Sequence, residues 1–216
     1  VDVANVISSR IRRGGSAGDL RNELLAHRYR CFLFSGHGDA ELGSDNKTLG
    51  FTSPSGGLDT VRAEHLAELL GAHSPSKHGL LETVFINGCR TEQLGRLLRD
   101  AGVPYVICWS TKAHDSAARL LASTFFASLS AGRPHLQAFE DARSAVKLAT
   151  RPGHTFNGLP SSVPTFELRD PMASPTEASR DRDVGFTPPP MAAGCPILLC
   201  AETEAEMQPE ERTGAQ

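Results

Sequence analysis

Three short apolar runs lie in the middle of the chain, at residues 32–34, 84–86 and 105–109. Each run ends at small polar residues or glycine, and each is too short to be an ordinary helix. Continuous apolar runs of this kind are typical of strands that are buried on both faces of a parallel sheet. Ligands of such sheets bind outside the carboxyl ends of the strands. The pattern therefore predicts parallel strands and marks the residues that follow them as candidates for function.

Amphipathic segments alternate with these runs. The predicted elements are helices over residues 18–26, 61–70, 92–100, 115–130 and 134–150, an edge strand over residues 1–7 and a last short strand over residues 163–168. In the last helix, Leu136, Phe139 and Val146 are predicted to point inward. Alternation of strands and helices predicts an α/β fold with a mostly parallel sheet and helices on both faces.

The chain changes character after residue 170. Residues 171–216 hold seven of the 14 prolines and an acidic run over residues 202–211. This composition predicts a disordered Pro-rich and acidic tail behind a single domain over residues 1–170. An apolar island at residues 195–200 interrupts the tail. We interpret it by default as a floppy apolar patch, and alternatively as a segment that docks onto the domain or a partner.

Charge and cysteine content narrow the functional classes. The net charge is −3, of which residues 171–216 contribute −5, so residues 1–170 carry +2. A nearly neutral domain offers no electrostatic footprint for nucleic acid or an anionic membrane. The five cysteines are irregularly spaced, which favours a reducing, cytoplasmic location over a disulfide framework. The chain begins at Val1 without a signal-peptide pattern, so we expect it to be a piece of a longer protein.

His37 follows the first predicted strand and lies between Gly36 and Gly38. The two glycines leave the imidazole free to move and expose the Gly38 amide. A histidine in this position can help to ionise a thiol and can protonate a leaving amine. Taken alone, a histidine is more often an exposed or structural residue than a catalytic one.

Cys89 follows the second predicted strand and stands directly before a predicted helix. A cysteine at a strand end is usually inert packing. Here Gly88 permits a tight turn that presents the sulfur to solvent, and the amino end of the helix stabilises a thiolate. The Gly38 and Cys89 amides are candidates for the donors that hold a developing oxyanion. The pattern points to a cysteine nucleophile with a histidine partner.

Two motifs carry a family resemblance: SGHG at residues 35–38 and NGCRT at residues 87–91. They resemble the histidine and cysteine motifs of caspase-like cysteine peptidases. Within that group the chain most resembles the CHAT domain, which often stands beside tetratricopeptide repeats. Further matching segments lie at residues 19–20, 101–103, 109–115 and 138–142. The resemblance covers residues 17–168.

The resemblance implies a caspase-like three-layer sandwich and a cysteine endopeptidase that acts on protein or peptide substrates. It implies a Cys–His dyad, with Cys89 as nucleophile and His37 as general acid and base. The implied oxyanion hole includes the Gly38 amide, and no metal or cofactor is implied. Regulation by flanking repeat domains is implied as well.

Asp115 follows the third predicted strand and has two open interpretations. It lines the pocket for the substrate residue before the cut, as an acidic residue does in related peptidases such as separase, and selects Arg or Lys. Alternatively, it caps the next helix, a position for which Asp is well suited. The neighbouring His114 is interpreted as a surface residue.

Two functions of other classes also stay open. A catalytically silent domain of the same fold would act as a scaffold or sensor under the control of neighbouring repeats. An α/β domain that binds a small ligand at the same strand ends would not need Cys89. His65, His73 and His78 lack zinc-site spacing, and no glycine-rich loop has the phosphate-binding form.

Overall fold

The computed structural model describes residues 15–38, 40–41, 47–53, 55–156, 159–169 and 191–201. The helices in these ranges are α1 (Ala17–Ala26), α2 (Ala63–Gly71), α3 (Glu92–Asp100), α4 (Asp115–Ser130) and α5 (His135–Leu148). The strands are β1 (Cys31–Ser35), β2 (Ala40–Glu41), β3 (Lys47–Thr48), β4 (Gly50–Thr52), β5 (Leu58–Thr60), β6 (Thr83–Asn87), β7 (Tyr105–Trp109), β8 (Thr150–Phe156), β9 (Leu159–Pro164), β10 (Phe166–Leu168), β11 (Met191–Gly194) and β12 (Pro196–Leu199). A short 3-10 helix covers Pro75–Lys77.

Four strands form the central sheet, in the order β1, β6, β7, β12. The first three run parallel, and β12 runs antiparallel to β7. Ser35 pairs with Asn87, which brings the ends of β1 and β6 to the same edge. The remaining strands pair in twos, as β2–β3, β4–β5, β8–β9 and β10–β11. The predicted α/β fold with a mostly parallel sheet is confirmed.

The sheet separates two apolar layers, because successive residues of a strand point to opposite faces. Val84 and Ile86 of β6 pack in one layer with side chains of α1, α2 and α3. Phe85, which lies between them, packs in the other layer with side chains of α4 and α5. Helices therefore cover both faces, in the three-layer arrangement that the caspase-like resemblance implies.

The predicted helices all form, with bounds within two residues of the expected ones. α1 begins at a capping box, in which Ser16 Oγ accepts the Asp19 amide at 3.1 Å and the Asp19 carboxylate accepts the Ser16 amide at 2.9 Å. α5 buries Phe139 and Val146 as predicted, but Leu136 is exposed. Leu136 lies off the buried stripe, which also includes Ala138 and Ala142.

β1 is less buried than its apolar run predicts. Cys31, Leu33 and Ser35 are exposed, and the two phenylalanines between them are only partly buried. Within the described residues, β1 is the outer strand on its side of the sheet. One face of β1 packs against the α1–α2–α3 layer and the other faces outward, so the prediction of burial on both faces is wrong for this strand.

The predicted strand over residues 163–168 forms only in part. β9 ends at Pro164 and β10 begins at Phe166, so two strands divide the segment. β9 pairs antiparallel with β8 as a hairpin. The hairpin segment lacks the regular alternation of apolar and polar residues that would have indicated strands.

The apolar island in the predicted tail is a strand of the central sheet. Pro196–Leu199 forms β12, and all four of its residues are buried beside β7. The interpretation as a floppy patch is wrong, and docking onto the domain is what occurs. Because β12 completes the described sheet, the domain extends past the predicted boundary at residue 170. Residues 171–190 and 202–216 of the predicted tail, and the predicted edge strand over residues 1–7, lie outside the described residues.

Candidate active site

The loops that follow β1 and β6 lie against each other at the carboxyl edge of the sheet. The Gly36 amide donates to Asn87 O at 3.2 Å, which continues the pairing of the two strands. A β-carbon built on Gly88 would lie 3.0 Å from Gly38 Cα, and one built on Gly38 would lie 2.7 Å from Cys89 O. The two backbones therefore touch directly, and only glycine permits that approach at both positions. The SGHG and NGCRT motifs meet here.

The turn that carries Cys89 is anchored to the end of β7. Trp109 Nε1 donates to Asn87 Oδ1 at 3.0 Å in the buried interior. The Trp109 amide donates to Thr91 Oγ1 at 3.2 Å, and the Thr91 amide donates to Trp109 O at 2.8 Å. Thr91 stands at the cap position of α3, yet its hydroxyl donates to Gly88 O at 3.1 Å and makes no capping bond. The Thr91 hydroxyl therefore stabilises the turn and does not cap the helix.

Arg90, the residue after Cys89, has a φ of +52°. This left-handed conformation costs roughly 1–2 kcal/mol for a residue other than glycine. The Arg90 amide donates to Thr111 O at 3.0 Å, so the surrounding structure holds the turn in this shape. Enforced conformations of this kind cluster at functional sites.

The Cys89 thiol is partly buried and contacts the loop between β7 and α4. The Ala113 amide donates to Cys89 Sγ at 3.4 Å, and the Cys89 thiol donates in return to Ala113 O at 3.9 Å. The backbone of Ala113 thus holds the sulfur through both of its polar groups. The sequence predicts stabilisation by the amino end of α3. The donor that contacts the sulfur comes instead from the residue before the cap of α4.

His37 is exposed beside this turn. Its carbonyl accepts the Gly50 amide at 2.9 Å, which ties the loop to β4. Within the described residues, its imidazole has no hydrogen-bond partner, and no hydrogen bond joins it to Cys89 Sγ. Catalytic hydrogen bonds are often long in enzymes without substrate and tighten when it binds. The fold brings the two loops together and leaves the His37 ring exposed beside the Cys89 turn.

Two backbone amides at this edge are open. Among the described residues, neither the Gly38 amide nor the Cys89 amide donates a hydrogen bond. Gly38 is buried, and a buried amide without an acceptor is rare in proteins. The Gly38 backbone contacts the backbone of Gly88 and Cys89 across the touching loops. The two amides without acceptors therefore lie on the two loops that meet at this edge.

Asp115 opens α4 but does not cap it. The capping bond comes from His114, whose Nδ1 accepts the Ser116 amide at 3.3 Å. The interpretation of Asp115 as the helix cap is therefore wrong. His114 is partly buried, with its ring centroid 5.3 Å from that of Phe166, so it is not a simple surface residue. The Asp115 side chain is exposed and makes no hydrogen bond or ion pair within the described part of the chain.

The other cysteines differ from Cys89 in their surroundings, and all five are free thiols. Burial raises the pKa of the Cys108 thiol. The pKa of the Cys31 thiol is also raised, because that thiol is partly desolvated. Cys195 and Cys200 are buried. Across the described ranges, no group of three or more metal-binding side chains comes together. No helix in those ranges is long and apolar enough to cross a membrane.

A family model described as the CHAT domain matches residues 4–172. The matched residues include both loops of the site and most of the chain. The chain belongs to the CHAT domain family. No curated protein sequence matches it. The resemblance carried by the two motifs is thus confirmed for the CHAT domain as a family, and β12 lies beyond the matched residues.

The sequence-based prediction missed two parts of this site. Ala113 contributes only its backbone amide, and a backbone contribution leaves no mark on residue type. The segment that leads into β12 also contacts the site region, and it lies about 80 residues further along the chain. The apolar island at residues 195–200 was the signal that could have identified it, because a short uncharged run of this length fits a buried strand.

Proposed function

We propose that this CHAT domain is a cysteine endopeptidase in which Cys89 is the nucleophile and His37 is the general acid and base. The observation that carries the proposal is the pair of open amides, of Gly38 and Cys89, at the contact between the two loops. Open backbone donors beside a nucleophile are the arrangement that stabilises a tetrahedral intermediate. A structural turn would instead bond these amides within the chain.

The first step needs a thiolate. In the proposed reaction the Cys89 thiol gives its proton to the His37 imidazole, and the sulfur attacks the carbonyl carbon of the scissile peptide bond. The Ala113 amide donates to the sulfur and holds it in place. As the C–S bond forms, the carbonyl oxygen becomes an oxyanion. The Gly38 and Cys89 amides donate to that oxygen.

The second step breaks the C–N bond. The protonated His37 donates its proton to the leaving amine, and the acyl group stays on Cys89 as a thioester. A water molecule then gives a proton to His37 and attacks the thioester carbonyl through the same oxyanion geometry. The C–S bond breaks, the sulfur takes the proton back, and the carboxylic acid product leaves. The exposed His37 ring, without a hydrogen-bond partner among the described residues, is available for both transfers.

We propose that Asp115 selects a basic residue immediately before the cut. Its carboxylate is exposed, has no partner among the described residues, and stands two residues after the Ala113 amide that contacts the nucleophile. An unpaired carboxylate next to a cleavage site favours Arg or Lys through charge-assisted hydrogen bonds. His114 performs the capping role, so helix capping does not account for an acid at this position.

The proposed setting follows from the family and the thiols. We propose a protein or peptide substrate, regulation by flanking repeat domains, and no direct contact with nucleic acid or membrane. A cytoplasmic location is proposed because all five cysteines are free, including the exposed Cys31. No cofactor or metal takes part in the proposed steps.

Incubation of the chain with a proteome-derived peptide library tests the proposal. New termini are read by mass spectrometry, with Cys89→Ala and His37→Ala as controls. We expect cuts that share a preceding Arg or Lys and that disappear in both variants. If there are no cuts and Cys89 is alkylated no faster than a free thiol, at a rate indifferent to His37→Ala, the domain is a scaffold or sensor.

The pocket assignment has its own variant. Asp115→Asn is expected to reduce cleavage after Arg and Lys at least tenfold, because the charge partner is lost. The matched control is Glu64→Gln, which neutralises an exposed acid in the first turn of α2 far from the site. Equal cleavage by Asp115→Asn and wild type would remove Asp115 from the pocket and leave the roles of Cys89 and His37 untouched.

A further inference from the structure

Two segments that lie far apart in the sequence are paired beside Cys89. We call residues 110–114, which join β7 to α4, the exit loop, and residues 191–195, which lead into β12, the brace. At the α4 end of the exit loop, the His114 amide donates to Ala193 O at 3.1 Å. This hydrogen bond ties the start of α4 to the brace.

A second group of bonds ties the other end of the exit loop. The Ser110 amide donates to Cys195 O at 2.9 Å, and the Ser110 hydroxyl donates to the same oxygen at 3.3 Å. In return, the Cys195 amide donates to Thr111 Oγ1 at 2.9 Å. The brace therefore holds the exit loop at both ends.

Gly194 lets the brace come this close. Its φ is +103°, a conformation that residues with a β-carbon rarely adopt. A β-carbon built there would collide with Lys112 O and lie 3.1 Å from Trp109 Cε3. The fit between brace and exit loop is therefore tight on the side facing away from Cys89.

The other side of the exit loop faces the Cys89 turn. Ala113, between the two braced ends, donates its amide to Cys89 Sγ at 3.4 Å. Thr111 O accepts the Arg90 amide at 3.0 Å. Thr111 thus bonds the turn through its carbonyl and the brace through its hydroxyl. The position of the sulfur's amide donor depends on a loop that the brace immobilises.

We propose that the brace positions Cys89 for reaction by aiming the Ala113 amide at its sulfur, with the Thr111 hydroxyl as the positioning group between brace and exit loop. This inference rests on the proposed peptidase function. A loosened exit loop would let the Ala113 amide move away from the Cys89 sulfur. Cys89 would then lose the contact that fixes its side chain and would react more slowly.

The test compares Thr111→Val with Thr111→Ser in the complete chain. Valine has the shape of threonine but cannot accept the Cys195 amide, whereas serine keeps the hydroxyl. The readout is the rate of iodoacetamide alkylation at Cys89 at neutral pH, resolved by peptide mass spectrometry. Cys31, exposed at the opposite edge of the sheet, serves as the reference thiol in the same sample.

In the wild type we expect Cys89 to be alkylated faster than a free thiol. In Thr111→Val we expect the Cys89 alkylation rate to fall roughly tenfold, because the sulfur is no longer held in place. Thr111→Ser should restore the wild-type rate. The other titratable groups on the surrounding loops, His37, Arg90, Lys112, His114 and Asp115, are the same in all three proteins.

Four outcomes overturn the inference, and they can be told apart. A fast wild-type rate at Cys89 that Thr111→Val leaves unchanged refutes the brace and leaves the peptidase proposal standing. A wild-type rate equal to that of a free thiol refutes both. A changed Cys31 rate in Thr111→Val would trace the effect to general unfolding. A Thr111→Ser rate that matches valine would assign the effect to packing rather than to the hydroxyl.

Discussion

The two edges of the central sheet each carry a cysteine, a histidine and a threonine, and they use them differently. At the amino edge, Thr83 Oγ1 and His135 Nε2 are hydrogen-bonded at 2.7 Å. The His135 ring stacks on Tyr105 with ring centroids 3.8 Å apart and planes 5° apart. Cys31 pairs with Thr83 across the strands, and desolvation of its thiol raises its pKa. The polar side chains of Thr83 and His135 at this edge are therefore hydrogen-bonded to each other.

At the carboxyl edge, two hydrogen-bond donors have no acceptor among the described residues. Trp109 bonds both Thr91 and Asn87, and these bonds anchor the turn. The Gly38 and Cys89 amides have no acceptor among the described residues. A cysteine beside a histidine is therefore not the distinguishing feature of the proposed site. The distinguishing feature is a rigid support that leaves selected donors open.

Gly38→Ala should break the carboxyl edge most severely. The new β-carbon would lie 2.5 Å from Thr91 Cγ2 and 2.7 Å from Cys89 O, so the loops must separate. Loss of one oxyanion donor typically costs 100-fold or more in rate, and we expect peptide cleavage to fall by about that factor. Overpacking should also lower the free energy of unfolding by about 1–3 kcal/mol.

The control for this glycine is Gly57→Ala. A β-carbon there would meet only Ser53 Oγ, at an ordinary 3.4 Å, and the residue is exposed. Cleavage rates and urea midpoints are measured for both variants. A Gly38→Ala protein that cleaves as fast as Gly57→Ala would mean that the loop contact does not matter for the reaction.

A second pair of variants separates stability from reactivity. Asn87→Ala leaves the buried Trp109 indole N–H without its acceptor, and Thr83→Val leaves His135 without its partner. Each should lower the free energy of unfolding by about 1–3 kcal/mol, the usual cost of an unsatisfied buried group. Only Asn87→Ala should slow alkylation of Cys89, because only Asn87 lies in the anchor of the turn.

Urea unfolding and site-resolved alkylation are measured on the same preparations. Equal slowing in both variants would trace the reactivity of Cys89 to overall stability. A normal alkylation rate in Asn87→Ala would show that the turn keeps its shape without the bond to Trp109.

The smallest expected effect concerns pH and the amino edge. Burial lowers the pKa of His135 below its ordinary value near 6.5, so the folded state binds fewer protons than the unfolded state in that range. Stability is therefore expected to decline as pH falls through 6.5 towards the folded-state pKa. In His135→Phe, which keeps an aromatic ring against Tyr105, the free energy of unfolding should fall less steeply between pH 7 and pH 5.

Urea midpoints across that pH range, compared between the two proteins, check the prediction. Because every other titratable group is shared, the difference in slope reports His135. Parallel curves would mean that His135 does not contribute to the pH dependence of stability. A steeper curve in the variant would mean that His135 makes the protein more stable, not less, as the pH falls.

The helices and most of the sheet were predictable because their signals are local. Ser16 and Asp19 cap α1 as their spacing predicts, and α4 spans the predicted residues 115–130. The strand runs that end before His37 and Cys89 placed both residues at one edge, because parallel strands end on the same side. These inferences need only the period of the apolar residues and the chemistry of caps.

The errors have a common physical origin. The exposure of Leu33 and Leu136, and the burial of residues 196–199, depend on which surfaces meet. A run of apolar residues indicates that burial is available, but not that a partner surface exists. Residues 196–199 pair with β7, whereas the outer edge of β1 has no partner strand within the described residues.

The sequence by itself determined the element types, the parallel core of the sheet and the shared edge of His37 and Cys89, because each follows from short-range pattern and from strand direction. Only the tertiary structure decided which amide faces the Cys89 sulfur, which residue caps α4, and that β12 closes the sheet. These features depend on contacts between distant segments, such as the bond between Ser110 and Cys195, which lie 85 residues apart. His114, which caps α4, is itself held by the bond from its amide to Ala193 O. The short-range pattern of residue types does not report which distant segments meet.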